Sequence, residues 1–194
     1  MLNYLRADSS IEEVILSGGD PLAVSDSRLQ RLVNDLVTIP HLKRLRIHSR
    51  LPVVIPQRVT SELLEILGKS RLQTTLVLHV NHGNEIDETV GRALNALRDA
   101  RITLLNQAVL LRGINDSVHA LKHLNESLFG WGVLPYYLFV LDPVDGAAHF
   151  DIPDADAQKL VAQLQAQLPG YLVPKLAREI PDRPSKTVLP TVTS

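Results

Sequence analysis

The sequence contains no cysteine. A chain without cysteine forms no disulfide and has no thiolate nucleophile, and by itself it cannot hold an iron–sulfur cluster through cysteine ligands. Aromatic residues make up only 4% of the chain, which argues against a base-stacking surface for single-stranded nucleic acid. Neither sign of charge dominates, because 20 Lys and Arg residues stand against 21 Asp and Glu residues. Attraction to nucleic acid is therefore not expected.

Long hydrophobic runs are also absent. Runs such as Val53–Ile55 and Ala108–Leu111 are far shorter than the roughly 18 residues of a membrane-spanning helix. Residues 1–6 lack the basic and apolar blocks of a signal peptide. We therefore expect a cytoplasmic protein with no membrane partner. At 194 residues, 45% of them hydrophobic, the chain is long enough to build a core.

Short runs rich in β-branched residues or leucine recur along the chain, and their starts are roughly 30 residues apart, the length of one strand–helix unit. They lie at 14–17, 44–48, 74–80, 102–111 and 134–141. Segments with helical spacing separate them, for example Leu29, Val33 and Leu36 after Ser25. This alternation predicts a parallel sheet with right-handed crossovers.

Two observations narrow this prediction to one fold class. The first predicted strand is not followed by the Gly-x-Gly-x-x-Gly pattern of a dinucleotide-binding fold. A complete eight-unit barrel needs about 250 residues, more than the chain has. We therefore predict an α/β fold, a partial (open) β/α TIM barrel of five parallel strand–helix units over residues 1–168. The proline-rich residues 169–194 are predicted to form an extended C-terminal segment.

The loops that follow the predicted strands carry the candidate site, because ligands of such barrels lie at the carboxyl ends of the strands. Gly18 and Gly19 could offer backbone N–H groups to an anion or a carboxylate, and Asp20 could accept from an ammonium group. A tight turn would explain the same glycines. Asp142 and Glu179 could bind a cationic amine, although most loop carboxylates are simply solvated.

Several basic residues have two possible interpretations each. Lys186, in a constrained turn, could act as a Schiff-base nucleophile, but an exposed tail lysine is common. His79 and His82 flank a strand end and could share a metal ion. His119 and His123, four residues apart on one predicted helix, could form a zinc pair or could be merely solvated. No metal site is assigned.

Five motifs occur in a familiar order along the chain: Val14–Asp20, Ile47–Arg58, Val80–Glu85, Asn106–Asp116 and Pro135–Tyr137. Together they resemble the lysine 2,3-aminomutase family of radical S-adenosylmethionine (SAM) enzymes. The resemblance covers nearly the whole chain and implies a radical-SAM-type partial barrel. The stretch Val173–Pro181 is most similar to the EpmB-type branch, which makes (R)-β-lysine for attachment to elongation factor P.

The resemblance also implies a role for each candidate residue. Lys186 falls where the family keeps the lysine that binds pyridoxal phosphate (PLP). Asp142 and Glu179 match the two acidic positions that hold the ε-ammonium group of the substrate. The residues expected to bind SAM are Ser17, Gly18, Gly19 and Asp20, with Ser49, Arg50 and Gln107 lining its cavity.

The implied function is conversion of (S)-α-lysine to (R)-β-lysine, with PLP, SAM and a [4Fe–4S] cluster as the family's cofactors. The family's three cluster cysteines lie upstream of the Ser17–Asp20 motif, and this sequence lacks them. The chain therefore resembles a C-terminal portion, and we expect it to be inactive alone. A functional link to elongation factor P and a possible homo-oligomer complete the expected partners.

Two other functions remain open at this point. The chain could be a non-catalytic remnant that binds PLP, SAM or a partner chain without turnover, which the missing cysteines favour. Less strongly, it could be a β/α-barrel isomerase that needs no PLP and uses His79 or His82 as its base.

Overall fold

The computed structural model describes residues 2–143, 145–181, 183 and 185–191. Strands and helices alternate through most of this range. The strands are β1 (Glu13–Leu16), β2 (Arg44–His48), β3 (Gln73–Leu78), β4 (Thr103–Leu110), β5 (Leu134–Val140), β6 (Lys175–Arg178) and β7 (Thr187–Val188). The helices are α1 (Leu2–Ala7), α2 (Asp26–Val37), α3 (Leu51–Val54), α4 (Ser61–Gly68), α5 (Glu88–Asp99), α6 (Val118–Gly130) and α7 (Asp154–Gln165).

Local sequence explains where these elements form. Helix α2 buries one stripe, Leu29, Val33 and Leu36, which are spaced at about one helical turn. Helix α4 begins after Thr60, whose side-chain oxygen accepts a hydrogen bond from the backbone N–H of Leu63 at 3.0 Å. In β4 the residues alternate between buried and accessible positions, the pattern of a strand with one covered face.

The seven strands lie in one sheet in chain order, from β1 to β7. Strand β2 pairs in parallel with β1 and β3, so that Leu45 lies opposite Val14 on one side and Thr74 on the other. Strand β5 pairs in parallel with β6, and β6 pairs antiparallel with β7. The five predicted strands and their order are confirmed. Strands β6 and β7 were not predicted individually and lie in the segment expected to be extended.

The chain divides into two compact units. The first unit comprises residues 1–78 and 88–105, and the second comprises residues 79–87 and 106–194. Leucine dominates both cores, with Leu36, Leu45 and Leu76 fully buried in the first unit. Leu128 and Leu138 are equally buried in the second unit. No helix in the described ranges is long and apolar enough to cross a membrane.

Gly68, the last residue of α4, sets a steric limit on packing within the first unit. A Cβ atom added there would lie 2.5 Å from the carbonyl oxygen of Ala100, which is too close for any real contact. We expect Gly68→Ala to lower the free energy of unfolding by about 1–3 kcal/mol, because backbone would have to move. Urea unfolding followed by circular dichroism measures this loss.

Gly130, the last residue of α6, is the matched control. An added Cβ atom would meet nothing within 4 Å. Gly130→Ala should therefore be neutral or should stabilise by up to about 1 kcal/mol, since alanine restricts the unfolded chain. Equal losses in the two variants would show that the close contact with Ala100 does not matter.

Candidate functional site

The loop after β1 owes its shape to two glycines. Gly18 and Gly19 have φ angles of 82° and 58°, in the left-handed region that favours glycine. A Cβ atom at either position would meet nothing within 4 Å, so the backbone here borders open space. Among the described residues, no group accepts a hydrogen bond from either glycine N–H. The loop therefore has two N–H donors without an acceptor among the described residues, and their role in binding a ligand stays a prediction.

Asp20 ties this loop to the loop that follows β2. Its carboxylate accepts hydrogen bonds from the Leu22 N–H at 3.0 Å, the Ser49 hydroxyl at 2.7 Å and the Arg50 N–H at 2.8 Å. Ser49 is only 2% exposed, whereas the Arg50 side chain faces solvent. A carboxylate has about four acceptor positions, so one remains for an ammonium group. The structure thus brings together Asp20, Ser49 and Arg50, three of the residues predicted to bind SAM.

Arg58 supports the same loop and was not assigned a role from the sequence. Its guanidinium donates to the carbonyl oxygens of Leu22 at 2.6 Å and Val24 at 3.2 Å. It also forms an ion pair with Asp26 at 2.6 Å, and both side chains are only 15% exposed. Arg58 lies within the quoted Ile47–Arg58 motif, but an isolated arginine gives no signal that it braces a distant loop.

In the second unit, Gln107 on β4 carries an unsatisfied polar atom. Its side-chain oxygen Oε1 is buried and has no hydrogen-bond partner among the described residues. The amide nitrogen lies 3.4 Å from Nδ1 of His79. Because a buried acceptor without a donor is costly, a ligand that donates a hydrogen bond would stabilise this position. The predicted place of Gln107 in a SAM cavity stays a prediction.

The loop after β3 is largely satisfied by its own groups. Glu85 accepts from the N–H groups of Asn81 at 2.7 Å and His82 at 2.8 Å, and Nδ1 of His82 accepts from the Asn84 N–H at 3.1 Å. One ring nitrogen of His82 therefore stabilises a turn. Within the described residues, no three histidine, aspartate or glutamate side chains are grouped so that they could hold a metal ion.

Lys186 lies against a carboxylate and two aromatic rings. Its ammonium group donates a hydrogen bond to Oε1 of Glu179. The nitrogen lies 4.4 Å from the ring centre of Phe139 and 5.7 Å from that of Tyr137. The Lys186 side chain is 29% exposed, compared with 57% for Glu179. The rival lysine of this segment, Lys175, is exposed at the start of β6.

Strand pairing explains this contact. In the antiparallel pair of β6 and β7, Arg178 lies opposite Thr187, so Glu179 and Lys186 are the next residues to face each other. In the parallel pair of β5 and β6, Phe139 lies opposite Ala177. The rings of β5 are therefore close to the β6–β7 connection.

Asp142 lines a separate cavity of about 270 Å³. Asp145, Asp151 and Arg178 are among its other lining residues. Arg178 donates to Asp154 at 2.5 Å and, more weakly, to the carbonyl oxygen of Leu141 at 3.5 Å, next to Asp142. Glu179 and Lys186 do not line this cavity. The structure thus joins Glu179 to Lys186, but it does not show the expected pairing of Asp142 with Glu179.

Comparison with curated proteins finds relatives with one shared name. The chain is 54% identical over 187 residues to the L-lysine 2,3-aminomutase of Haemophilus influenzae, and 53% identical over 188 residues to that of Escherichia coli. The Clostridium subterminale protein of the same name is 42% identical over 186 residues. These alignments cover 96%, 97% and 96% of the chain but 55%, 55% and 44% of the relatives. The chain thus spans about half the length of these relatives. No protein-family profile matches it.

Solved structures show the same fold at low sequence identity. A radical SAM methyltransferase from Sphaerobacter thermophilus superposes with a TM-score of 0.60 over 87% of this chain and 51% of its own, at 15% identity. A domain of the pyruvate-formate lyase-activating enzyme from Bacteroides vulgatus gives 0.56 over 86% of this chain and 98% of its own, at 13% identity. The predicted radical-SAM-type partial barrel is confirmed by these likenesses.

Proposed function

The chain belongs, over the half of these relatives that it spans, to the lysine 2,3-aminomutase family, and from this premise we propose that it forms the part of such an enzyme that binds PLP, SAM and lysine. The reaction would convert (S)-α-lysine to (R)-β-lysine. The observation that carries the proposal is the half-buried amine of Lys186, held between Glu179 and the ring of Phe139.

The surroundings of Lys186 fit PLP. A primary amine is the group that links to an aldehyde, and Lys186 is held by specific contacts that the exposed Lys175 lacks. The ring of Tyr137, which is partly exposed, offers apolar surface beside this amine for an aromatic cofactor. When bound, PLP supplies an aldehyde that binds the amino group of the substrate and a ring that delocalises electrons.

The loop after β1 fits the methionine end of SAM. Gly18 and Gly19 offer N–H donors to a carboxylate, and Asp20 retains one acceptor position for an ammonium group. Arg58 and Asp26 hold the continuation of this loop in place. In the second unit, the buried oxygen of Gln107 offers an acceptor to a polar ligand group.

The iron–sulfur cluster does not fit this chain. Fe–S clusters are held mainly by cysteine thiolates, and the sequence has no cysteine. Ligands for a cluster that cleaves SAM would have to come from residues outside this sequence. A binding role without turnover is therefore the second candidate function for the chain by itself.

Lysine is the proposed substrate, and elongation factor P the proposed destination of its product. The names of the relatives support lysine, and carboxylates such as those of Asp142 and Glu179 attract its side-chain ammonium group. The resemblance of Val173–Pro181 to the branch that serves elongation factor P supports the second point. The same resemblance to the branch that serves elongation factor P is our basis for proposing a cytoplasmic location.

The direct test is covalent capture of PLP. The chain is incubated with PLP, reduced with borohydride and digested, and the modified peptide is identified by mass spectrometry. We expect the modification at Lys186. Modification spread evenly over the exposed lysines, Lys175 among them, would contradict the proposed cofactor site.

A further inference from the structure

Lys186 fills a site that is built for an ammonium group. Glu179 supplies a negative charge, and the rings of Phe139 and Tyr137 both lie within the roughly 6 Å at which a cation is attracted to an aromatic ring. These groups come from β5 and from the residue that follows β6, whereas Lys186 precedes β7. The site therefore has a framework independent of the lysine that occupies it.

We propose that Glu179, Tyr137 and Phe139 form an ammonium-binding site that Lys186 occupies before the cofactor arrives and leaves when it links to PLP. The proposal rests on the proposed function and adds to it a role for the two rings and an order of binding. While Lys186 holds the site, the side chain of a substrate lysine must compete with it for Glu179. Linkage of Lys186 to PLP removes this competitor.

The chemistry of the linkage requires the exchange. The ammonium group of Lys186 first releases a proton to solvent, and the nitrogen lone pair then attacks the aldehyde carbon of PLP. A C=N bond forms and the aldehyde oxygen leaves as water, with no oxidation or reduction. Three N–H donors on the nitrogen become at most one, so the contacts with Glu179 and the rings weaken. These contacts hold the unlinked Lys186 side chain in place, and they have to be broken before the linkage forms, which slows it.

The charged and titratable groups that contact Lys186 in the described residues are few. Glu179 is the anion, and the hydroxyl of Tyr137 is the other titratable group. Phe139 contributes a ring without a charge. Removing the charge of Glu179 is therefore the variant that isolates the proposed effect.

The experiment follows the rate at which PLP becomes trapped on Lys186, by borohydride quenching and mass spectrometry of the Lys186 peptide. Glu179→Gln should raise this rate by about 2- to 5-fold, the effect of losing an exposed ion pair. Phe139→Leu should raise it by about 2- to 5-fold through loss of the cation–π contact. Glu126→Gln, the same change of charge on α6, should leave the rate unchanged.

The dependence of the linkage rate on salt concentration is a second measurement. A purely structural role of Glu179 would not produce the dependence described next. Sodium chloride screens the ion pair of the wild-type chain, so the rate ratio of Glu179→Gln to wild type should fall toward one as salt rises. A Glu179→Gln rate equal to or below that of wild type at low salt would overturn the inference, because Glu179 would then not slow the linkage. The proposed function would stand in that case, since PLP would still be linked to Lys186. Absence of linkage at Lys186 in every form of the chain would instead refute the proposed function.

Discussion

Replacement of Lys186 by alanine should abolish the site-specific capture of PLP. Lys186 is the lysine that the described contacts place between a carboxylate and aromatic rings, and no other amine of the chain occupies such a position in the described residues. Without a primary amine there, no C=N bond can form at the site. Borohydride trapping and peptide mapping of Lys186→Ala should leave only the slow background modification of exposed lysines.

Two companion variants make this result specific. Lys186→Arg keeps a positive charge beside Glu179 but cannot link to an aldehyde, so it should lose capture as completely as Lys186→Ala. Lys175→Ala removes an exposed lysine of the same segment and should retain full capture. If Lys175→Ala loses capture and Lys186→Ala keeps it, the anchor is Lys175 and the proposed site must be redrawn around β6.

The second large effect concerns recognition of lysine in the PLP-loaded protein. Asp142→Asn and Glu179→Gln should each weaken lysine binding by about 2–5 kcal/mol, because we expect substrate binding in the PLP-loaded protein to bring both carboxylates to the ammonium group and to exclude water from it. In dissociation constants this is about 30-fold to several thousand-fold. Isothermal titration calorimetry measures the change for each variant.

Norleucine provides the control ligand because it has the carbon chain of lysine without the terminal amine. Its affinity should be nearly the same in wild type, Asp142→Asn and Glu179→Gln. Asp156→Asn, an exposed carboxylate on α7, should not alter the affinity for lysine. A loss of lysine affinity that norleucine shares equally would mean that the two carboxylates shape the site without contacting the ammonium group.

Periodicity in the sequence was sufficient to predict most of the fold. Strand β2 was predicted at its exact bounds because five residues of alternating character are enclosed by helical segments. Strands β6 and β7 were not predicted because they have only four and two residues and lie among prolines. Burial of both Leu176 and Ala177 also removes the alternation that identifies a strand with one covered face.

The sequence identified the residues of the candidate site but not the contacts between them. Family motifs pointed to Asp20, Ser49 and Arg50, yet nothing in the sequence indicates that one carboxylate joins all three. The contact between Glu179 and Lys186 depends on the antiparallel register of β6 and β7, which a seven-residue separation alone does not determine. Arg58 was missed for the same reason, since its carbonyl partners lie more than thirty residues away in the chain.

The carboxylate of Asp20 couples the fluctuations of the loop after β1 to those of the loop after β2. The amide protons of Leu22 and Arg50 point at the same side chain, although 28 positions of sequence separate them. Opening either loop takes a donor away from Asp20 and weakens the hold on the other. Hydrogen exchange at these two amides should therefore proceed through a shared local unfolding event rather than through two independent ones. In this sense the two loops form one cooperative unit, and a ligand that stabilises the first also protects the second.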